Sequence, residues 1–195
     1  MNIPNQLTVI RLILSFVFLA TMTFIFPHSK TLSLLIFSIA AFTDFLDGHL
    51  ARKHNLITSF GKLMDPLADK VLMAAGFIML IPTGHLPAWV VVLILAREFM
   101  VTGLRLVASA EGMVLAAENL GKYKTSTQIA TVIYFLLLLA ARQSGSLLSF
   151  LSPLFDVKIL SPSVLGSLLI WGSLILTLLS GFNYMWKNRQ LLSDC

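Results

Sequence analysis

Six apolar stretches divide this chain, at roughly 7–26, 31–51, 61–81, 87–107, 120–141 and 162–186. Each approaches the ~20 residues that a helix needs to cross about 30 Å of hydrocarbon. A segment in lipid has no water to satisfy its peptide groups, so it must bond them internally, and at these lengths that predicts helices. Composition agrees. Of 195 residues, 57% are apolar and only 12% charged, with a mean hydropathy of +0.87. Soluble domains carry about 25% charged residues. The expected fold is therefore all-α, a polytopic membrane protein with six transmembrane helices in a single membrane-embedded domain over 1–195. The breaks "FPHSK", "IPTGHLP" and "RQSGSLLSFLSPLFDVKILSP" collect Pro, Gly and Ser, as turns do. No soluble domain, low-complexity tract or internal repeat stands out.

The N-terminal "MNIPNQLTVIR" lacks a basic leader before its apolar run, so an uncleaved first span is expected rather than a signal peptide. Basic residues then give a direction. With the N-terminus in the cytoplasm, ten cations fall at cytoplasmic ends: Arg11, Arg52, Lys53, Lys62, Lys70, Arg105, Lys122, Lys124, Lys187 and Arg189. Only Lys30, Arg142 and Lys158 fall opposite, and Arg97 lies too near mid-span to assign. That bias predicts both termini on the cytoplasmic side. The net charge of +5 suits anionic lipid headgroups and gives no reason to invoke nucleic acid. The lone Cys195 excludes a disulfide framework.

Four of the nine acidic residues lie in one stretch, "DFLDGHLARKHNLITSFGKLMDPLADK". Asp44 and Asp47 are three apart, and Asp65 and Asp69 four apart. On helices each pair shares a face, within about 60° and 40°. The short connection between the second and third spans makes them antiparallel neighbours, so both pairs converge at one end. Four carboxylates at the edge of a low-dielectric slab repel strongly, and two divalent cations would cancel that charge. All-oxygen ligands favour hard ions, Mg2+ or Mn2+, over zinc. Paired metals suit phosphoryl chemistry because they neutralise the electrophile and stabilise the leaving oxygen. Solvated helix-end charges are the alternative, and it gives no reason for the phasing. Between the pairs, Gly48 and Ala51 either admit a ligand closely or pack helices. Arg52 either pairs with a phosphate or snorkels to the interface.

In order, Asp44, Asp47-Gly48, Ala51-Arg52, Gly61, Asp65 and Asp69 resemble the signature of the CDP-alcohol phosphotransferase family, with every position filled. The resemblance implies six transmembrane helices around a cytoplasm-facing dinuclear metal site. It also implies transfer of a substituted phosphoryl group from a CDP-linked donor to an alcohol, with release of CMP. By the same resemblance Asp44, Asp47 and Asp65 are metal ligands, and Asp69 is a ligand and the catalytic base. Gly48, Ala51, Arg52 and Gly61 would line the nucleotide site. Dimerisation, typical of the family, is a further implication.

Three more stretches bear on the acceptor: "NIPNQLTVIR", "REFMVTGLR" and "GKYKTSTQ". They bring Arg11, Arg105, Lys122 and Lys124 to the end that holds the aspartates, with Arg97 deeper. Cations beside a metal–diphosphate site point to an anionic acceptor, although positive-inside loops collect Lys and Arg in any case. These stretches resemble the members of the family that use CDP-diacylglycerol as donor and sn-glycerol 3-phosphate as acceptor. That resemblance implies Arg105, Lys122, Lys124 and Arg97 for the acceptor phosphate. Asn5 and Thr8 would touch the nucleotide, or they are simply the polar start of a helix. Serine, inositol phosphate or phosphatidylglycerol as acceptor is the nearest rival. A small transporter is a rival of another class, but it would place its acids near the bilayer midplane. A membrane scaffold leaves the phased aspartates unexplained. His28, His49, His54 and His85 have no metal-ligand spacing, and Trp89, Trp171 and Trp186 are expected as interface anchors or packing residues.

Overall fold

The computed structural model describes the backbone of residues 3–54, 59–110 and 119–189, and the side chains of 6–43, 64, 66–108, 121 and 123–189. Among the described residues there are six long helices: α1 (Ile3–Thr23), α2 (Ser29–His54), α3 (Ser59–Leu80), α4 (Ala88–Ala110), α5 (Asn119–Arg142) and α6 (Ser167–Lys187). A 3-10 segment (Ser149–Asp156) and a π-helical turn (Pro162–Gly166) lie between α5 and α6. No strand occurs among the described residues. The helices end where the sequence removes their donors. After α3, Pro82 has no N–H to give, and Gly84 at φ 77° closes the turn with its N–H on the Ile81 carbonyl at 3.1 Å.

Among the described residues, four segments are long and apolar enough to cross a bilayer: Gln6–Thr23, Pro66–Thr83, Tyr123–Arg142 and Pro162–Lys187. The other two helices match in length but are interrupted by charge. In α2 the apolar part is Ser29–Thr43, before the aspartates, and α4 contains Arg97, Glu98 and Arg105. Around the bundle, Phe16, Leu35, Ile39, Phe42, Val92, Phe99, Ile175 and Phe182 are exposed. In water such a continuous apolar belt would drive aggregation; in hydrocarbon it is the lipid-facing surface. The protein is a multi-pass membrane protein.

α1 packs on α2 and α3, α2 also on α5, and α5 on α6. The core is built from Phe18, Phe37, Leu72, Phe77, Phe135 and Leu136, all essentially without exposure. α3 approaches closely at Gly76, where a Cβ would lie 2.9 Å from the Phe37 ring and 3.0 Å from Val132. Small residues of this kind let membrane helices approach where no hydrophobic drive favours their association. Buried hydroxyls and amides pair across helices, as Thr21 does with Ser33 (2.8 Å) and Gln128 with Thr177 (2.9 Å).

α4 joins this core through Val90, Val91 and Ile94, but it packs mainly on α6 and only sparsely on α3. Three contacts in the same order along both helices show that α4 and α6 run in the same direction: Trp89 with Trp171, Arg97 with Ser180 and Arg105 with Tyr184. The gap this leaves between α3, α4 and α5 holds the site.

Candidate active site

The gap is a narrow cleft lined by Asp69, Lys70, Met73 and Phe77 of α3, Ile94, Leu95, Glu98 and Phe99 of α4, and Lys124, Thr125 and Gln128 of α5. Helix direction sorts these residues. α3 and α5 start at the end of the bundle that holds the aspartates, whereas α4 finishes there. Asp69, Lys70, Glu98 and Lys124 therefore form a polar mouth, and Met73, Phe77, Ile94 and Leu95 an apolar floor. From Asp69 to Phe77 is about 12 Å along α3 at 1.5 Å per residue. The floor is closed, because Met73, Phe77 and Ile94 are buried in the core.

The mouth is charged, and its charges are paired. Lys124, buried, donates to Glu98 Oε1. Arg97, also buried, donates to the same oxygen at 3.4 Å and to Ser180 Oγ at 2.6 Å. Its aliphatic part lies across α6 at Gly181, where a Cβ would come within 2.7 Å of Arg97 Cγ. Asp69, Glu98, Arg97 and Arg105 all lie close enough to Lys70 for their charges to act on it, and Asp69 likewise acts on Lys124. At the rim, Arg105 donates from Nε to the Tyr184 hydroxyl at 3.1 Å, with its guanidinium 5.2 Å from that ring's centroid.

Of the residues expected from sequence, Asp69 lines the cleft, beside Lys124. Arg97 and Lys124 meet through Glu98, and Arg105 lies against α6. Thr8 is buried in α1, and Arg11 is wholly buried, not placed at an open rim. The side chains of Asn5, Asp44, Asp47, Gly48, Ala51, Arg52, Gly61, Asp65 and Lys122 lie outside the described residues, although their helices are described. Among the described residues no three His, Cys, Asp or Glu side chains converge, and only Asp69 of the four aspartates is in that set. Asp44 and Asp47 belong to α2, Asp65 and Asp69 to α3, and these helices touch. That pairing of helices and its all-oxygen donors fit hard divalent ions.

Sequence reading passed over Glu98, Lys70, Ser180 and Tyr184 as site residues. A carboxylate set in the apolar run "LILAREFM" was the available signal, because an acid within a span needs a partner.

The chain's residues 1–179 match the family model described as CDP-alcohol phosphatidyltransferase. The chain belongs to this family of membrane enzymes, which are generally dependent on divalent cations. It is similar to the CDP-diacylglycerol–glycerol-3-phosphate 3-phosphatidyltransferase of Bacillus subtilis (strain 168), with 39% identity covering 98% of this chain and 97% of the relative. The Rickettsia bellii protein of the same name is 35% identical over 94% of this chain and 93% of its own length. A probable phosphatidylglycerophosphate synthase of Mycobacterium tuberculosis (strain ATCC 25618 / H37Rv) is 40% identical over 70% of this chain and 66% of its own.

Proposed function

We propose that this protein transfers the phosphatidyl group of CDP-diacylglycerol to sn-glycerol 3-phosphate. The products would be phosphatidylglycerophosphate and CMP, a step of phospholipid synthesis in a bacterial inner membrane. Membership of the family and the names of its near full-length relatives support this reading. One observation carries it: beside Asp69, the carboxylate that the family resemblance makes the base, the cleft gathers Lys70 and Lys124 at a mouth of headgroup-sized polarity. An acceptor with a phosphate dianion brings these cations more charge and more acceptor oxygens than the single carboxylate of serine does.

In this reading the acceptor's hydroxyl oxygen attacks the phosphorus that bears the diacylglycerol ester. The bond from that phosphorus to the cytidylate oxygen breaks, CMP leaves, and Asp69 takes the hydroxyl proton. A positioned base contributes about 10²–10⁴-fold. Lys124, Arg105, Lys122 and Arg97, with Lys70, hold the acceptor phosphate. Gly48, Ala51, Arg52, Gly61, Asn5 and Thr8 line the nucleotide. Two divalent cations, Mg2+ or Mn2+, would be held by Asp44, Asp47, Asp65 and Asp69 and would neutralise the diphosphate. The exposed apolar belt of the bundle lies against the bilayer, so the donor's acyl chains need not leave it. All six long helices cross, and both termini and the mouth face the cytoplasm.

An acceptor panel on purified protein with CDP-diacylglycerol tests this. CMP release should require glycerol 3-phosphate. Faster release with serine, inositol phosphate or phosphatidylglycerol would reassign the acceptor, and no CMP with any alcohol would favour a transporter or scaffold.

A further inference from the structure

The buried cations of the mouth already hold an anion, and it belongs to the protein. Lys124 donates to Glu98 Oε1, Arg97 shares that oxygen at 3.4 Å, and the Glu98 carboxylate lines the same cleft as Asp69 and Lys70. Arg97 has a second anchor in Ser180 at 2.6 Å, so it holds Glu98 toward the cleft from the α6 side. No other carboxylate among the described residues lies in the cleft apart from Asp69. A buried ammonium without a counter-ion is costly, and Glu98 supplies one while the cleft is empty of substrate.

We propose that Glu98 is the positioning and specificity residue of the acceptor site, an internal stand-in for the acceptor's phosphate. The incoming phosphate takes Lys124 by exchange with the Glu98 carboxylate. This rests on the proposed function only in naming glycerol 3-phosphate; the exchange itself concerns any phosphate monoester that enters the mouth. Two consequences follow from the charges. Singly charged or weakly basic anions cannot displace a carboxylate already held at a buried ammonium, so the site rejects them. A phosphate dianion can, because it brings more charge and more acceptor oxygens to Lys124, Lys70 and Arg105. Glu98 also keeps Lys124 extended toward α4 between turnovers, away from Asp69, the other carboxylate in its reach.

The test is the full-length protein with Glu98→Gln, which keeps the side chain's shape and removes its charge. Inorganic phosphate binding is measured by calorimetry, and the KM values for glycerol 3-phosphate and CDP-diacylglycerol by CMP release. Phosphate should bind the variant about three- to tenfold more tightly than the wild type, the scale of one partly buried ion pair. The KM for glycerol 3-phosphate should fall by a similar factor while that for CDP-diacylglycerol stays put. In a Lys124→Met background the same change at Glu98 should have a clearly smaller effect, because only the contact with Arg97 and the influence on Lys70 then remain. That double variant also removes both buried charges together, which protects folding if Glu98→Gln alone does not fold. Glu98→Asp, one methylene shorter, should shift phosphate binding in the same direction by less.

Unchanged or weaker phosphate binding in both Glu98 variants overturns the exchange. So does an equal shift in the CDP-diacylglycerol KM, or an effect that persists undiminished without Lys124. Failure of the functional reading looks different. Wild type would bind phosphate, and Glu98→Gln would bind it more tightly, yet glycerol 3-phosphate would release no CMP.

Discussion

The two ends of the bundle hold polar groups in opposite ways. At one end, where α1 turns into α2, the Gln143 amide reaches from α5 to the Phe26 carbonyl (3.1 Å) and Ser29 Oγ (3.2 Å), and its oxygen accepts the Lys30 backbone N–H (3.0 Å). Thr31 and Ser146 pair nearby at 2.8 Å, and Lys30 Nζ closes on the Met22 carbonyl at 2.8 Å. Most of these partners are neutral, and their bonds are short and reciprocal. At the other end Glu98 serves two cations, and Lys124 lies between two carboxylates. Neutral bonds of fixed geometry staple helices. Charges with more than one candidate partner leave room for a ligand to change the pairing. The difference separates scaffold from chemistry inside one small bundle.

The sharpest way to break this comparison is to disable the carboxylates. Asp69→Asn should lower kcat by at least about a hundredfold while CDP-diacylglycerol still binds, because the amide accepts no proton. Asp44→Asn, Asp47→Asn and Asp65→Asn should be severely impaired, and EDTA should abolish activity until Mg2+ or Mn2+ is restored. Full turnover in metal-free buffer would remove the reason for pairing the aspartates. If Asp69→Asn loses metal affinity in step with rate, Asp69 is chiefly a ligand.

Next in size is the loss of a cation. Lys124→Met should raise the KM for glycerol 3-phosphate by about tenfold or more, since truncating one member of a buried charged pair costs 2–5 kcal/mol at an interface. The KM for CDP-diacylglycerol should move far less. Equal changes in both constants would place Lys124 on the donor side or in the scaffold.

How much of this was readable beforehand follows the range of the interactions. The apolar spans are local patterns, and each predicted span overlaps one of α1–α6, although α2 is half apolar and α4 is broken by charge. The aspartate pairs are also local, three and four residues apart. The cleft is not. It exists because α4 leans on α6 and leaves α3, and that choice depends on Gly181, which lets the stem of Arg97 lie flat on α6. Glu98 and Lys124 are 26 residues apart, and Gln143 lies 114 residues from Ser29, so no periodicity relates them. Arg97 illustrates the limit: its mid-span position left it unassigned by charge counting, and only packing shows that it supports Glu98.

The stapled end gives a prediction of intermediate size that should leave chemistry alone. Gln143→Ala removes three hydrogen bonds between α5 and the α1–α2 turn. Each net bond is worth about 1 kcal/mol, so thermal unfolding in detergent should shift downward by a few degrees. The KM values of the remaining folded enzyme should not change. A selective rise in the glycerol 3-phosphate KM would mean that the two ends are coupled and that the comparison is too simple.

The smallest expected effect tests the same end by pH. His85 lies in the α3–α4 connection, its ring stacked on Phe135 with centroids 5.4 Å apart and planes at 24°. Burial, and then the positive charge of Arg142, hold its pKa below the ordinary histidine value of 6.5. The neutral ring is therefore favoured in the fold. Its contribution to stability is fully present above the unfolded pKa, and it is lost as pH falls from about 6.5 toward the lower folded value. The residue is only partly buried, and solvent screens the influence of Arg142, so the effect is small. Thermal midpoints taken from pH 7.5 down to 5.5 should fall slightly more for the wild type than for His85→Gln, which cannot be protonated. At high salt the Arg142 share should shrink while the burial share remains. If the two proteins fall in parallel at both salt concentrations, His85 is neutral to the balance, and any acid sensitivity belongs to the carboxylates, Asp156 beside Arg142 among them.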